Sequence, residues 1–237
     1  MRSGSLIARD LARELGLSDD SVRRDLRDLA AAGLCQRVYG GAVPVSAALA
    51  DYRSREHVEP ESKQRVAKRA VSLIRPGDLV ILDGGTTNLA VARSLPPDLE
   101  ATVVTHSPTI AAALVDHPTV EILLLGGRIY KHSAIACGAA TVEAAQSITA
   151  DLFLLGVPGV HREHGLTTGD PDEAAMKRAL AARAADTYVL ASAEKLGAVS
   201  PYKVLDLNAV SGIISDAADD DLIDDLRRTR TKIILTN

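Results

Sequence analysis

Nothing in this chain is apolar for long enough to cross a bilayer. The longest apolar runs, 109–115 and 122–125, fall far short of the roughly 20 residues that a spanning helix needs. The opening Met1-Arg2-Ser3-Gly4-Ser5 leads into a charged, helix-like stretch rather than the apolar centre of a secretion signal, so a cytoplasmic location without membrane contact is expected. Cysteine is scarce: Cys35 and Cys137 stand far apart, outside any CxxC or histidine-rich setting. They support neither a disulfide framework nor a zinc site and read as small reduced filler residues; no cofactor or metal is expected. A basic excess is missing too. The net charge of -4 argues against coating nucleic acid by bulk electrostatics, because such binding rests on neutralising phosphates. Any nucleic-acid contact must be local, and residues 1–43, with seven arginines against six acids, permit one without demanding it.

With 237 residues, 46% of them hydrophobic, the chain can bury one large core and support a small accessory unit. The accessory unit is legible at the start. Leu6 to Leu15 reads as a helix with Ile7, Leu11 and Leu15 on one face, ended by Gly16. Ser18 then stands as N-cap of a second helix whose early acids suit its positive end; Val22, Leu26 and Leu29 form the inward stripe, and Gly33 closes it. Two short helices across a tight turn describe a helix-turn-helix. Its second helix would present Ser21, Arg23, Arg24 and Arg27 to the major groove, where arginine donates to guanine and to phosphates. The plainer alternative is a helical hairpin whose arginines pair with Asp25 and Asp28 at helical spacing. Residues 34–43 then read as a β-ribbon around Gly40-Gly41, a wing from which Arg37 and Tyr39 would touch phosphates.

The ordered run Asp10-Leu11-Ala12, Ser18, Ser21-Val22-Arg23-Arg24-Asp25-Leu26, Gly33-Leu34 and Arg37-Val38-Tyr39-Gly40-Gly41-Ala42 resembles the DeoR family of bacterial sugar-metabolism regulators. The resemblance implies a further helix of roughly a dozen residues ahead of this motif; because Met1 falls almost at the second helix, that first helix is expected to be missing. Residues 44–60 read as a linker into a helix over 61–74. Lys63 matches a lysine position typical of the family, although its spacing reads more simply as a solvated helix face.

From Asp78 on, continuously apolar runs alternate with helix-length segments: 79–82, 101–104, 120–125, 151–155, 187–190, 212–214 and 232–235. Runs of this kind predict an open, mainly parallel α/β sheet covered on both faces. The family resemblance narrows this to the architecture of ribose-5-phosphate isomerase and glucosamine-6-phosphate deaminase, placed behind a truncated winged helix-turn-helix, with 61–237 as the effector-sensing domain. Ligands of such sheets sit at the carboxyl ends of strands. The loop Asp83-Gly84-Gly85-Thr86-Thr87 offers bare N–H groups, hydroxyls and a helix start suited to a phosphate, or else is an ordinary β-to-α turn. Thr105 and His106, Gly127 and Arg128, and Asp170 fall in loops expected at the same edge. Asp170 also reads as an N-cap, and Glu173 and Lys177 as an i, i+4 pair. The resemblance implies that Glu173, Lys177 and Lys195 border the sugar site, that His106 replaces a more usual amide, and that Ala191 replaces an acid of a stretch from which Ser192 and Lys195 survive.

Together these features predict a DNA-binding regulator, of repressor type by resemblance, and no enzyme. Its expected partners are operator DNA, a phosphorylated sugar or similar effector, and further copies of itself. The competing readings are an aldose-ketose isomerase or amino-sugar deaminase, in which Asp170, Glu173 and Lys195 would supply acid and base, and a metabolite-binding remnant that no longer touches DNA.

Overall fold

The structure, a computed structural model, describes residues 6–32, 34–44, 49–217 and 220–236. Its N-terminal unit contains β1 (Leu6–Ile7), α1 (Ala8–Leu15), α2 (Asp19–Ala31), β2 (Cys35–Val38) and β3 (Gly41–Pro44). Gly16 ends α1 in the left-handed region at φ 67, and the Ser18 hydroxyl accepts the Ser21 N–H at 3.1 Å to start α2. Both boundaries lie where the spacing predicts them. The ribbon turns at Tyr39-Gly40, with Val38 opposite Gly41, and β1 joins it as a third strand, Ile7 opposite Gly41. Gly33, expected to close α2, lies outside the described residues; Ala32 is the capping position.

The inward face of α1 differs from expectation. Ala8 and Ala12 pack against Val22, Leu26, Cys35 and Ala42, with the expected Leu11 partly buried against them, while Ile7 and Leu15 are 56% and 57% exposed. Pairing with β3 draws Ile7 out of the helix into an extended conformation. The alanine face then lets α1 approach α2 closely; a leucine face there would hold the two helices apart. Leu29 is exposed as well.

The segment expected to be a plain linker holds a helix, α3 (Tyr52–Glu56). Asp51 caps it by accepting the Ser54 N–H at 3.0 Å, and the Tyr52 N–H donates to the His132 carbonyl at 3.0 Å, so α3 is docked on the α/β unit. The following helix, α4 (Pro60–Val71), begins with proline in its first turn, where the missing N–H costs nothing.

The rest of the chain runs β4 (Leu79–Leu82), α5 (Thr86–Ala92), β5 (Thr102–Thr105), α6 (Pro108–Leu114), β6 (Glu121–Leu124), β7 (Arg128–Tyr130), β8 (Ile135–Cys137), α7 (Ala139–Ala145), β9 (Ala150–Gly156), β10 (Gly159–His161), β11 (Gly165–Thr168), α8 (Pro171–Ala181), β12 (Ala184–Ala191), β13 (Tyr202–Leu205), β14 (Gly212–Ser215), α9 (Asp220–Arg227) and β15 (Ile233–Leu235). Seven strands form one sheet in the order β15-β14-β12-β9-β4-β5-β6, and every pair in it is parallel. They correspond to the seven apolar runs. Alternation along each strand feeds two cores: Ile81, Phe153, Leu155 and Val189 face Met176, Leu180 and Ile223 of α8 and α9, whereas Val80, Leu82, Leu152 and Leu154 face Val66, Leu89 and Ile110 of α4, α5 and α6. Burial on both faces is why these strands lack polar alternation. A hairpin of β7 and β8 and a small antiparallel sheet, β10-β11-β13, lie outside the parallel sheet. Both cysteines are buried free thiols, and among the described residues no helix is long and apolar enough to cross a membrane.

Candidate functional site

In the N-terminal unit α2 presents Arg23, Arg24 and Arg27 to solvent, and among the described residues no ion pair joins them to Asp25 or Asp28. Ser18 and Ser21 bond each other at 3.0 Å at the helix start. Tyr39 is fully exposed at the tip of the ribbon and Arg37 is exposed on β2. A cleft of about 540 Å³ runs between the helices and the ribbon, with Arg9, Arg13, Arg23 and Arg37 on its walls. Asp10 spans 3.4 Å to Arg13 there. Arg9 and Arg13 belong to α1, which expectation treated as a packing helix only.

The parallel sheet supplies the second site. The chain passes from β4 to β5 and β6 on one side, then returns to β9 on the other side of β4. The loops that leave β4 and β9 therefore diverge and open a crevice at the carboxyl ends of the strands, the switch point where open sheets bind ligands. Gly84, Gly85, Thr86 and Thr87 line it from the first loop, and Gly156, Val157 and Pro158 from the second. Gly84 allows the close approach: a Cβ there would sit 2.1 Å from Ile135 Cγ2. Charged walls complete the crevice. Lys177 and Glu173 come from α8, Lys195 and Glu194 from the short helical turn 193–195, Lys63 from α4 and Arg55 from α3, beside Val58 and Ser133. Four cations and two acids thus face a cavity of about 30 Å³, room for a water molecule or two.

Beneath it lies Asp83, fully buried. Its Oδ1 accepts the Gly84 N–H and His106 Nε2, both at 2.8 Å. Its Oδ2 accepts the Gly156 N–H at 2.9 Å and the Lys177 ammonium at 2.6 Å. One carboxylate therefore ties together both crevice loops and α8. Burial pushes this carboxyl up, but the Lys177 charge and the His106 hydrogen bond outweigh it and hold it at about 2. Burial pulls Lys177 down, and Asp83 with Glu173 more than reverses that. Glu173 reaches Lys177 at 3.3 Å and accepts from the Thr168 hydroxyl at 2.9 Å.

Lys195 is different. Its ammonium meets only neutral oxygens, Thr87 Oγ1 at 2.9 Å and the Leu190 carbonyl at 3.2 Å. Burial lowers it to about 8, against the pull of Glu194 and helped by Lys63, Arg55 and Lys177. Burial also lowers Lys63, which donates to the Arg55 carbonyl, and Arg55 itself, although guanidinium stays charged at any ordinary pH. Arg55 Nε and Nη2 are buried without a hydrogen-bond partner, as is Glu194 Oε2. Arg55 thus brings two donors without acceptors to the cavity wall.

Of the residues expected here, Gly84, Gly85, Thr86, Thr87, Glu173, Lys177 and Lys195 line the cavity; the others do not. Asp83 has every lone pair occupied below the floor. Thr105 and His106 are buried at the end of β5, and His106 neither faces the cavity nor caps α6, since it spans Asp83 and the Ala136 carbonyl, 2.7 Å away. Gly127 packs on Thr141 of α7, and Arg128 points to solvent, 2.8 Å from Asp172. Asp170 caps α8 by accepting the Glu173 N–H at 2.9 Å. His106 thus reaches the crevice only through Asp83, and Asp170 only through the start of α8. Expectation missed Arg55, Glu194 and Ser133, and favoured a solvated Lys63 that is in fact buried. The family's lysine position was the one signal for Lys63; Arg55, hidden in a polar linker, had none.

Residues 1–47 match the DeoR-like helix-turn-helix domain, and residues 58–217 match the DeoR C terminal sensor domain. The chain belongs to the DeoR family. This regulator is therefore a DNA-binding transcription factor rather than an enzyme, and its crevice lies in the family's sensor domain. It is 35% identical over 208 residues to the HTH-type transcriptional regulator GlpR of Haloferax volcanii, covering 87% of this chain and 81% of the relative. It is 28% identical to the glycerol-3-phosphate regulon repressor of Haemophilus influenzae, covering 100% of this chain and 92% of that one. Among solved structures, ribose 5-phosphate isomerase A from Methanocaldococcus jannaschii aligns with 57% of this chain and 54% of its own, at 18% identity and a TM-score of 0.43.

Proposed function

We propose that this DeoR-family protein is a cytoplasmic repressor of carbohydrate-metabolism genes, controlled by a phosphorylated sugar or closely related phosphorylated metabolite bound in the switch-point cavity. The observation that carries the reading is the convergence of Arg55, Lys63, Lys177 and Lys195 on one small cavity, with donors on Arg55 left unpartnered. Buried cations without partners are costly, and a phosphate group supplies the missing acceptors. The glycerol-3-phosphate regulon named in one relative is consistent with a small phosphorylated ligand. Residues 1–43 serve as the reading head: Ser21, Arg23, Arg24 and Arg27 address the groove, and Ser18, Arg37 and Tyr39 the phosphates. Residues 61–237 form the sensor, and 44–60 connect the two. Because helix-turn-helix heads read paired half-sites, the working form is a homo-oligomer.

The test is paired. A thermal-shift screen against sugar phosphates and their unphosphorylated parents should raise the unfolding temperature only with phosphorylated compounds, since a ligand that binds only the folded state stabilises it. A mobility-shift titration on the protein's own upstream DNA, at stated salt, should show a specific complex that the same compound weakens. A shift caused by the parent sugars alone would sink the phosphate assignment. Ligand binding with no DNA complex would leave a metabolite-binding remnant.

A further inference from the structure

Arg55 is the one cavity-lining cation carried by the segment between head and sensor rather than by the sensor's own sheet-end loops and helices. Its helix, α3, has five residues, too few to hold itself together by internal hydrogen bonds. It is fixed from outside by the Tyr52 N–H bond to the His132 carbonyl, by the buried Tyr52 ring, and by Lys63 donating to the Arg55 carbonyl. The guanidinium lies 5.8 Å from the centre of the Tyr52 ring. From there it reaches inward until Nη1 is 4.0 Å from the position a Cβ would take on Gly85. Two of its nitrogens have no acceptor.

Size makes this placement consequential. Sites for small molecules run to about 300–1,000 Å³, whereas this cavity has about 30 Å³. A bound metabolite therefore needs more room than this wall leaves. The loops after β4 and β9 are tied together through Asp83, and α4 and α8 are anchored in the two hydrophobic cores. Arg55 and Val58 belong to the wall built on and just after a five-residue helix whose core anchor is Tyr52, and that wall is the part of the crevice that follows next along the chain after the DNA-reading unit.

We propose that Arg55 is a direct ligand of the effector's anionic group and that α3 is the cover of the cavity, so that effector entry displaces α3 and with it the attachment point of the head. The proposal rests on the reading of the cavity as a site for phosphorylated metabolites and adds the route by which occupancy is felt. A ligand shifts a conformational equilibrium only through contacts that differ between the two states. Arg55 provides such a contact: its Nε and Nη2 have no acceptor among the described residues and would gain one from a bound anion.

The test uses the full chain with inorganic phosphate, glycerol 3-phosphate, fructose 1-phosphate and glucose 6-phosphate as probes. Calorimetric affinities are compared for the wild type, Arg55→Gln and Arg55→Lys, each checked for folding by circular dichroism. An environment-sensitive dye is attached at His57→Cys, an exposed position just after α3; both native cysteines are buried. For the probe the wild type binds best, Arg55→Gln should bind at least about tenfold more weakly and Arg55→Lys at an intermediate level, because lysine keeps the charge without the planar fork. Dye emission should change on saturation in the wild-type background and not with Arg55→Gln. Equal affinity in all three proteins would overturn Arg55 as a ligand, and a silent dye at saturation would overturn the cover. Failure of the wild type to bind any probe is a different result: it would remove the phosphate reading on which both depend.

Discussion

Asp83 shows how one carboxylate can shape a site it never enters. It joins the loops after β4 and β9 and neutralises Lys177, so its removal leaves an ammonium buried without its main counter-charge. Asp83→Asn should cost about 3–5 kcal/mol, as for breaking a buried ion pair, read as a lower urea midpoint with an unchanged slope. Its carboxyl is held at about 2 against an ordinary 3.8. The stability it adds, about 2 kcal/mol by that shift, is complete above 3.8 and disappears as pH falls through about 2, so the mutant should lose much of the wild type's pH dependence across that window. Lys195 behaves in the opposite sense. With burial holding it at about 8, part of its charge is absent at pH 8, and an incoming phosphate should restore it. Effector affinity should fall as pH rises past 8 in the wild type but much less in Lys195→Met. Binding at pH 8 should take up protons, visible as an enthalpy that depends on the buffer's ionisation heat; a buffer-independent enthalpy would refute this.

At the scale of elements, the head hangs on a close backbone contact. A Cβ on Gly41 would lie 1.8 Å from the Leu6 carbonyl oxygen, so Gly41→Ala should unzip β1 from β3 and shift the ribbon. Specific DNA binding should be lost while the sensor's ligand-induced thermal shift stays intact. Arg23→Ala and Arg24→Ala should instead weaken DNA binding without disturbing the ribbon. Where the lost contact was to a phosphate, the dependence of log affinity on log salt should flatten by about 0.9 per contact. Elements like these were legible because their signals are local. Ser18, Gly16 and Asp170 mark helix ends by chemistry within four residues, and strands buried on both faces appear as apolar runs. The buried face of α1 was legible only at Leu11, because Ala8 and Ala12 become core only once Ile7 pairs with β3, a partner 34 residues away. The cavity was half legible. Glycines and threonines after β4 announce a loop, but Arg55 and Lys63 sit in polar, mixed-charge stretches whose burial is decided by what the rest of the fold lays over them. His106 and Arg128 were placed by strand-end logic at the right edge, but His106 is taken up by Asp83 and the Ala136 carbonyl, and Arg128 lies 2.8 Å from Asp172.

For the whole molecule, the proposed control makes reading head and sensor one thermodynamic system. If a phosphorylated effector weakens operator binding by some factor, typically 5–150-fold for allosteric pairs, operator DNA must weaken effector binding by the same factor. Measuring effector affinity with and without saturating operator should return that number, and a mismatch would show that the two events are not linked through a common conformational equilibrium. The switch point also dictates an order of assembly. β4 acquires its β9 neighbour only when Leu152 comes to lie beside Val80, and the cavity floor closes only when Lys177 reaches Asp83. The strands of the head pair within residues 6–44. Contacts so distant in sequence form late, and synthesis proceeds from the N-terminus. A nascent chain therefore carries the strands and helices of its reading head well before it has anything with which to sense a metabolite.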